Sequence, residues 1–335
     1  MIALLGPAAP VPTALPSPQF PAAAVIAAGL FQVLLAAGLT PLLLGVMRQT
    51  RARMQGRVGA GVLQPYRDLR KFARKEPLRA RGSSPVLRLA PLVLVTSSLA
   101  VITLTPLVST VFLDRLPSDL FVVVTCLAVG TVALAALGLE HGTAFGGMGS
   151  SRHMMIAALV EPTVLVAIYA LSIRAGTSTL SSIVTARSDD PISVLAPSGL
   201  LAVVALVVVV LAECGRLPVD NPSTHLELTM VHEAMILESG GRDLALLEFG
   251  SWLRLTALLG LIVNLALPWG IATEPNVIAL LIGAAAITLK LLLAGAAVAA
   301  GEVFLAKLRL FRVPELLAGS FALAFLAITA SYLTP

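Results

Sequence analysis

Eight stretches of this chain are apolar for longer than a soluble domain can hide. They run over residues 21–46, 89–113, 120–139, 153–173, 200–212, 244–267, 277–300 and 314–333. As helix, about 20 such residues cross the roughly 30 Å of hydrocarbon in a bilayer. A helix also satisfies its own backbone groups where water is missing. The fifth stretch is short, so its helix is expected to begin near Val194 and end close to Glu213. A transmembrane barrel would need short alternating strands, a pattern not seen here. The expected fold class is all-α, a polytopic membrane protein with eight transmembrane helices. With 57% hydrophobic and only 12% charged residues, and a mean hydropathy of +0.94, the 335-residue chain fits no soluble alternative.

Charge sets the orientation. Of the 23 Lys and Arg residues, 12 lie between Arg48 and Arg88, which places the loop at 47–88 on the cytoplasmic side. The connections at 140–152, 213–243 and 301–313 then share that side, and both termini lie outside an inner (plasma) membrane. Residues 1–20, rich in proline and alanine and without a basic start, read as a flexible, uncleaved tail before a single membrane domain at 21–335. Within the first loop, Leu63, Tyr66, Leu69 and Phe72 recur at near-helical intervals among basic residues, as in an amphipathic helix on the membrane surface. This basic segment marks orientation rather than a nucleic-acid partner, which would want a soluble basic face. Cys126 and Cys214 are far apart and suggest neither a disulfide nor a metal pair.

One polar passage interrupts the apolar pattern. Residues 213–239 carry Glu213, Asp220, Glu227, Glu233 and Glu238 between two greasy runs. Ionisable groups at a membrane edge are costly unless paired, hydrated or lining a cavity. Pro218 and Pro222 predict a shaped loop over 215–222, with Asn221 or Ser223 capping a helix over 224–237. Glu161 and Lys290 fall deep in the fourth and seventh spans, and Glu140, Glu248, Arg254 and Glu302 lie nearer the cytoplasmic ends. Together they read as a hydrated half-channel for protons; taken singly, each also fits a buried salt bridge, for instance Glu161 with Lys290. His232-Glu233 opens like a zinc-protease motif, but Ile236 stands where the second ligand would be, and His225 with His232 lacks a third ligand. No metal and no catalytic residue is therefore assigned. His141 and His153 flank a glycine-rich run that reads as a flexible connection, and no internal repeat of the kind found in many transporters is evident.

At these residues the chain resembles a family: the membrane subunit that forms the quinone chamber of respiratory complex I, and more closely its counterpart in membrane-bound nickel-iron hydrogenases and formate hydrogenlyases. The first loop, GRVGAGVLQPYRDLRKFARKE, is similar to the family signature at Gly56, Arg57, Gly59, Gly61, Leu63, Gln64, Pro65, Asp68, Lys71, Lys75 and Glu76. The second matches at Glu213, Arg216, Pro218 and Asp220. Ala60 and Val219 depart from the proline and phenylalanine usual there, as in the hydrogenase branch. The resemblance implies an eight-helix subunit beneath a peripheral arm. Arg57, Gln64, Pro65, Asp68, Lys71, Lys75, Glu76, Arg216 and Pro218 would shape the loops and dock that arm, and the carboxylates would begin a proton path. It implies partners too: hydrogenase-like large and small subunits, an iron-sulfur subunit and antiporter-like membrane subunits. Iron-sulfur clusters and a nickel-iron centre would sit in those partners, with no cofactor in this chain and quinone as an open alternative. A complex I quinone-chamber subunit and a freestanding ion transporter are the competing readings.

Overall fold

The computed structural model describes residues 21–77, 79, 82, 84–113, 116, 118–173, 175–189, 196–220, 230–274 and 276–333. The expected tail at 1–20, the cap at Asn221 or Ser223, and Glu227 and His225 lie outside them. Eleven α-helices follow in order among the described residues: α1 (Ala22–Met54), α2 (Gln64–Ala73), α3 (Val86–Leu104), α4 (Leu120–Glu140), α5 (Ala144–Ser172), α6 (Leu180–Asp189), α7 (Pro197–Glu213), α8 (His232–Ile236), α9 (Gly241–Ala266), α10 (Val277–Phe304) and α11 (Val313–Leu333). Seven segments are long and apolar enough to cross a membrane; α7, at 17 residues, is the shorter eighth. The protein is thus an all-α, multi-pass membrane protein.

The bundle is built around α9. Of its most apolar stretch 78% is buried, against 28% for α1 and α10 and 22% for the segment ending in α11, so those three helices form the flanks. α3 packs on α4 and α9, α5 on α4, α7 and α11, and α10 on α1 and α9. The outward faces of the flanks stay greasy: Leu34, Leu293 and Phe325 are all exposed, as residues facing lipid would be.

The second span departs from expectation. Its apolar run continues to residue 113, but the helix ends at Leu104. Pro106 has no backbone donor and holds Thr105 in an extended conformation, so the chain turns irregular inside the bundle. Thr105, Val108 and Ser109 are nevertheless buried. Non-helical backbone at such depth persists only where other groups satisfy it. Gln32 of α1 donates to Ile102 O (2.8 Å) and Thr105 O (2.9 Å) and accepts from Val108 N (2.9 Å). From the other side, Asn264 of α9 donates to Pro106 O (2.7 Å) and Leu107 O (2.9 Å). Ala272 completes the arrangement, donating to Val108 O and accepting from Thr110 N.

Other boundaries shift for local reasons. α1 runs past residue 46 to Met54, carrying Arg48 and Arg51 out of the bundle on a rigid helix. The glycine-rich run after His141 is helical rather than a loose connection: Thr143 caps α5 by accepting from Gly146 N, and Gly146 and Gly149 allow close packing against Gly138 O and Ala234. The expected amphipathic helix forms as α2. It is held against α1 where Gly45 leaves room for Val62 O, which any β-carbon there would strike, and where Tyr66 donates to Gly38 O. In the polar passage Met230 and Val231 are not helical, so the described helix is only α8. α6, which no apolar run announces, packs against α9.

Replacing Gln32 by Leu should leave Val108 N–H and two carbonyls unpaired. At about 1–3 kcal/mol for each orphaned group, the folded state should lose roughly 3 kcal/mol or more, read as a lower unfolding midpoint in detergent. An unchanged midpoint would show that Gln32 is not what satisfies this backbone.

Candidate functional site: a charged cavity leading to a buried ion pair

At the end of the bundle that carries the basic loop, α1, the 214–220 segment, α8 and α9 enclose a cavity of about 350 Å³. Its walls bring together Arg48, Arg51 and Arg216 with Asp220, Glu233 and Glu248, and with His232 and Ser251. Positive and negative groups alternate because separate segments supply them. Arg51 of α1 pairs with Glu302 of α10, which also faces Arg216 at 3.7 Å. Asp220 bonds Lys307 Nζ at 2.7 Å and accepts from His232 N at 3.3 Å. Pro218 O accepts from Leu308 N, which ties the 305–309 connection to this loop. Arg48 bonds Asp68 of α2 at 3.3 Å and lies 5.5 Å from the Trp252 ring. Burial, aided by Arg51 and Arg48, lowers the proton affinity of the Arg216 guanidinium, while Glu302 opposes that shift. Burial pushes the Cys214 thiol up to about 12, so it stays protonated and is no nucleophile.

Deeper in the bundle, Glu213 at the end of α7 meets Arg254 of α9 in an ion pair. Both residues are less than 10% exposed. The same guanidinium donates to Leu127 O (2.8 Å) and to Thr131 Oγ1, and Thr131 in turn lies 3.4 Å from Glu213 Oε1. Gly130 makes this possible. A β-carbon there would sit 2.6 Å from Ser97 Oγ and crowd Arg254 Nη1. Glu161 on α5 is half-buried and feels both Glu213 and Arg254 electrostatically.

The structure therefore gathers Glu213, Asp220, Glu233, Glu248 and Arg216 into one region, with Glu161 beside its inner end. It separates others. Glu140 accepts from Ser84 N at 2.9 Å in a side cluster, where Glu238 and His141 interact and His141 bonds Ser239. Lys290 is not paired with Glu161. Its ammonium donates to Asn264 Oδ1 (3.2 Å), Leu267 O (2.6 Å) and Trp269 O, and lies 4.5 Å from the Trp269 ring. Free carbonyls at the end of a helix attract a cation more readily than a distant carboxylate does. Gln64 and Asp68 bond each other, Pro65 is buried, and Arg57, Lys71, Lys75 and Glu76 stand on the surface. Glu76 O packs against Gly241, and Arg79 grips Asp243 with two bonds of 2.8 and 2.7 Å, so the first loop is clamped to the start of α9. Among the described residues no His, Cys, Asp and Glu group of metal-site size is present. Sequence reasoning did not single out Arg48, Arg51, Lys307, Thr131 or His153. The arginines read there only as orientation charge, although their spacing of three on a helix already put them on one face.

A bundle of eight spans with a polar cavity leading to charges buried at membrane depth defines a class: membrane subunits that handle charge inside the bilayer. A family model described as NADH dehydrogenase matches residues 26–332, and the chain belongs to that family. It is 32% identical to hydrogenase-4 component C of Escherichia coli (strain K12) over 86% of this chain and 90% of that one. It is 31% identical to formate hydrogenlyase subunit 4 of the same organism, over 90% and 97%. A chain from the structure of the membrane-bound sulfane sulfur reductase, an archaeal respiratory membrane complex, superposes with a TM-score of 0.80. That match covers 92% of this chain and 99% of the other at 18% identity, and shows the shared fold.

Arg254→Gln should strand a buried carboxylate and destabilise the protein by about 3–5 kcal/mol. The double variant Arg254→Gln/Glu213→Gln should recover most of that loss in detergent unfolding; no recovery would mean the two charges are not coupled. At the side cluster, burial lowers the His141 proton affinity below its usual 6.5, with Glu238 and Glu140 opposing. The unfolded chain then binds more protons, so stability is full above pH 6.5 and is lost as pH falls below it. Hydrogen exchange of residues 237–243 should accelerate on acidification through that range, and His141→Asn should flatten the response.

Proposed function

We propose that this chain anchors a peripheral redox assembly to the membrane and couples its turnover to proton movement, as a subunit of a hydrogenase or formate hydrogenlyase-like complex. One observation carries the reading: a cavity of mixed charge opens at the basic end of the bundle and leads to a buried Glu213–Arg254 pair. A carboxylate held this way changes its proton affinity when a neighbouring charge appears, by up to several pK units. A redox centre seated over the cavity would supply that charge. The names of the two Escherichia coli relatives support a hydrogenase-type assembly. The basic loop then faces the cytoplasm across the inner membrane, with both termini outside. The exposed Arg57, Lys71, Lys75 and Glu76 dock the arm, while Arg216 and Pro218 shape the cavity floor. The partners are hydrogenase-like large and small subunits, an iron-sulfur subunit and antiporter-like membrane subunits, and the nickel-iron and iron-sulfur centres sit in them.

A second reading draws on the cavity itself. Its volume falls in the range of small-molecule sites, and Leu44, Trp252 and Leu255 give it an apolar wall on which a quinone ring would rest. Purified complex that reduces quinone would favour this reading, and hydrogen evolution without quinone reduction the first.

Glu213→Gln and Glu161→Gln should each abolish proton movement coupled to turnover in proteoliposomes while the complex still assembles. Full pumping in both variants would remove these carboxylates from the path. Purification without any redox subunit would overturn the assignment.

A further inference from the structure

The cavity and the buried carboxylates need a connection, and the structure offers one that the carboxylates themselves do not make. His153 on α5 is buried, and its Nε2 meets no hydrogen-bond partner. Nearly all buried polar atoms in proteins are partnered. The charged groups acting on this ring are Arg254 of α9 and His232 of α8. His232 lies in the cavity wall, with Ser251 Oγ 3.3 Å from its Nε2, and Arg254 holds Glu213.

The surrounding chain fixes this placement. One turn before His153, Gly149 lets α5 lie against α8, where a β-carbon would already be 3.0 Å from Ala234 Cβ and Val231 O. Arg152 Nη1 donates to Met230 O at 3.0 Å and pins the same contact. The other helices packed on α5 bring few competing charges. α4 carries only Glu140, at its far end, and α11 only Glu315, at its start. α7 brings Glu213, and Glu161 lies further along α5 itself. Imidazole is the one side chain whose ordinary proton affinity lies near neutral pH.

We propose that His153 relays protons between the cavity and the buried Glu213 and Glu161 carboxylates. One ring nitrogen takes a proton from the His232 side, directly or through water. The other nitrogen releases its own proton toward Glu213, and a ring turn restores the starting tautomer. One proton enters and one leaves, with no change in electrons. This inference rests on the coupling function proposed above and deepens it.

The test uses the whole complex in proteoliposomes and measures proton movement per turnover. His153→Ala should lower it about 100-fold, the scale of a lost acid–base group, and added imidazole should restore part of it. His153→Asn, which keeps polarity and approximate size, should assemble normally and remain uncoupled. Wild-type coupling in His153→Asn, alongside loss in Glu213→Gln, overturns the relay and leaves the coupling function standing. Full coupling in both variants overturns both. Loss in His153→Ala without imidazole rescue, with coupling kept in His153→Asn, marks a packing residue and overturns the relay.

Discussion

The bundle depends on one contact, the Glu213–Arg254 pair. An isolated charge at that depth is far costlier than most single contacts are favourable, and a pair is tolerated only when its remaining donors and acceptors are met. Thr131 and Leu127 O meet them here. That requirement reaches outward through the structure. Gly130 has to be small, α4 has to present its Thr131 face to α9, and α7 has to end where Glu213 reaches the guanidinium. A membrane interior offers little hydrophobic drive between helices, so polar fixtures of this sort carry much of the specificity of packing.

The central helix is consequently polar in an ordered way. Near its basic end α9 carries Glu248 and Ser251 into the cavity, and further along it carries Arg254 to the pair. At its opposite end the carbonyls left without helical partners are met by cations: Arg187 donates to Leu265 O at 3.0 Å and Lys290 to Leu267 O and Trp269 O. Two cations at a helix C-terminus oppose the negative end of its dipole. They hold the outer end of α9 fixed against α6 and α10 while its other end lines a cavity.

The spans were legible in the sequence because length and hydropathy are all that a bilayer asks of a helix. The residue 105–113 segment was not, because hydropathy measures what a residue is made of and not where its backbone bonds go. Gln32 and Asn264, polar residues inside otherwise apolar helices, were its only trace. The carboxylates of the site were legible one by one through their cost. Their partners were not, since Arg254, Lys307 and Arg51 reach them from helices distant in sequence. Lys290 shows the same limit in reverse: its depth was clear, but the carbonyls that hold it belong to a chain end whose position only the fold decides. Glu227 and His225 fall outside the described residues.

Near-balance of charge is what makes the cavity responsive. Three arginines and three carboxylates line it, and Lys307 and Glu302 stand behind them. A strongly one-signed cavity would hold its groups in fixed protonation states against any small perturbation. Where opposing charges nearly cancel, a single charge added at the rim, with limited water to screen it, can decide which carboxylate keeps its proton. Because Arg216 and Arg51 share Glu302, and Asp220 is shared by Lys307 and the His232 backbone, a change at one group is passed to its neighbours through common partners. Residues at the rim therefore need not touch Glu213 to act on it, and the polar passage between two membrane spans serves as the electrical input of the bundle.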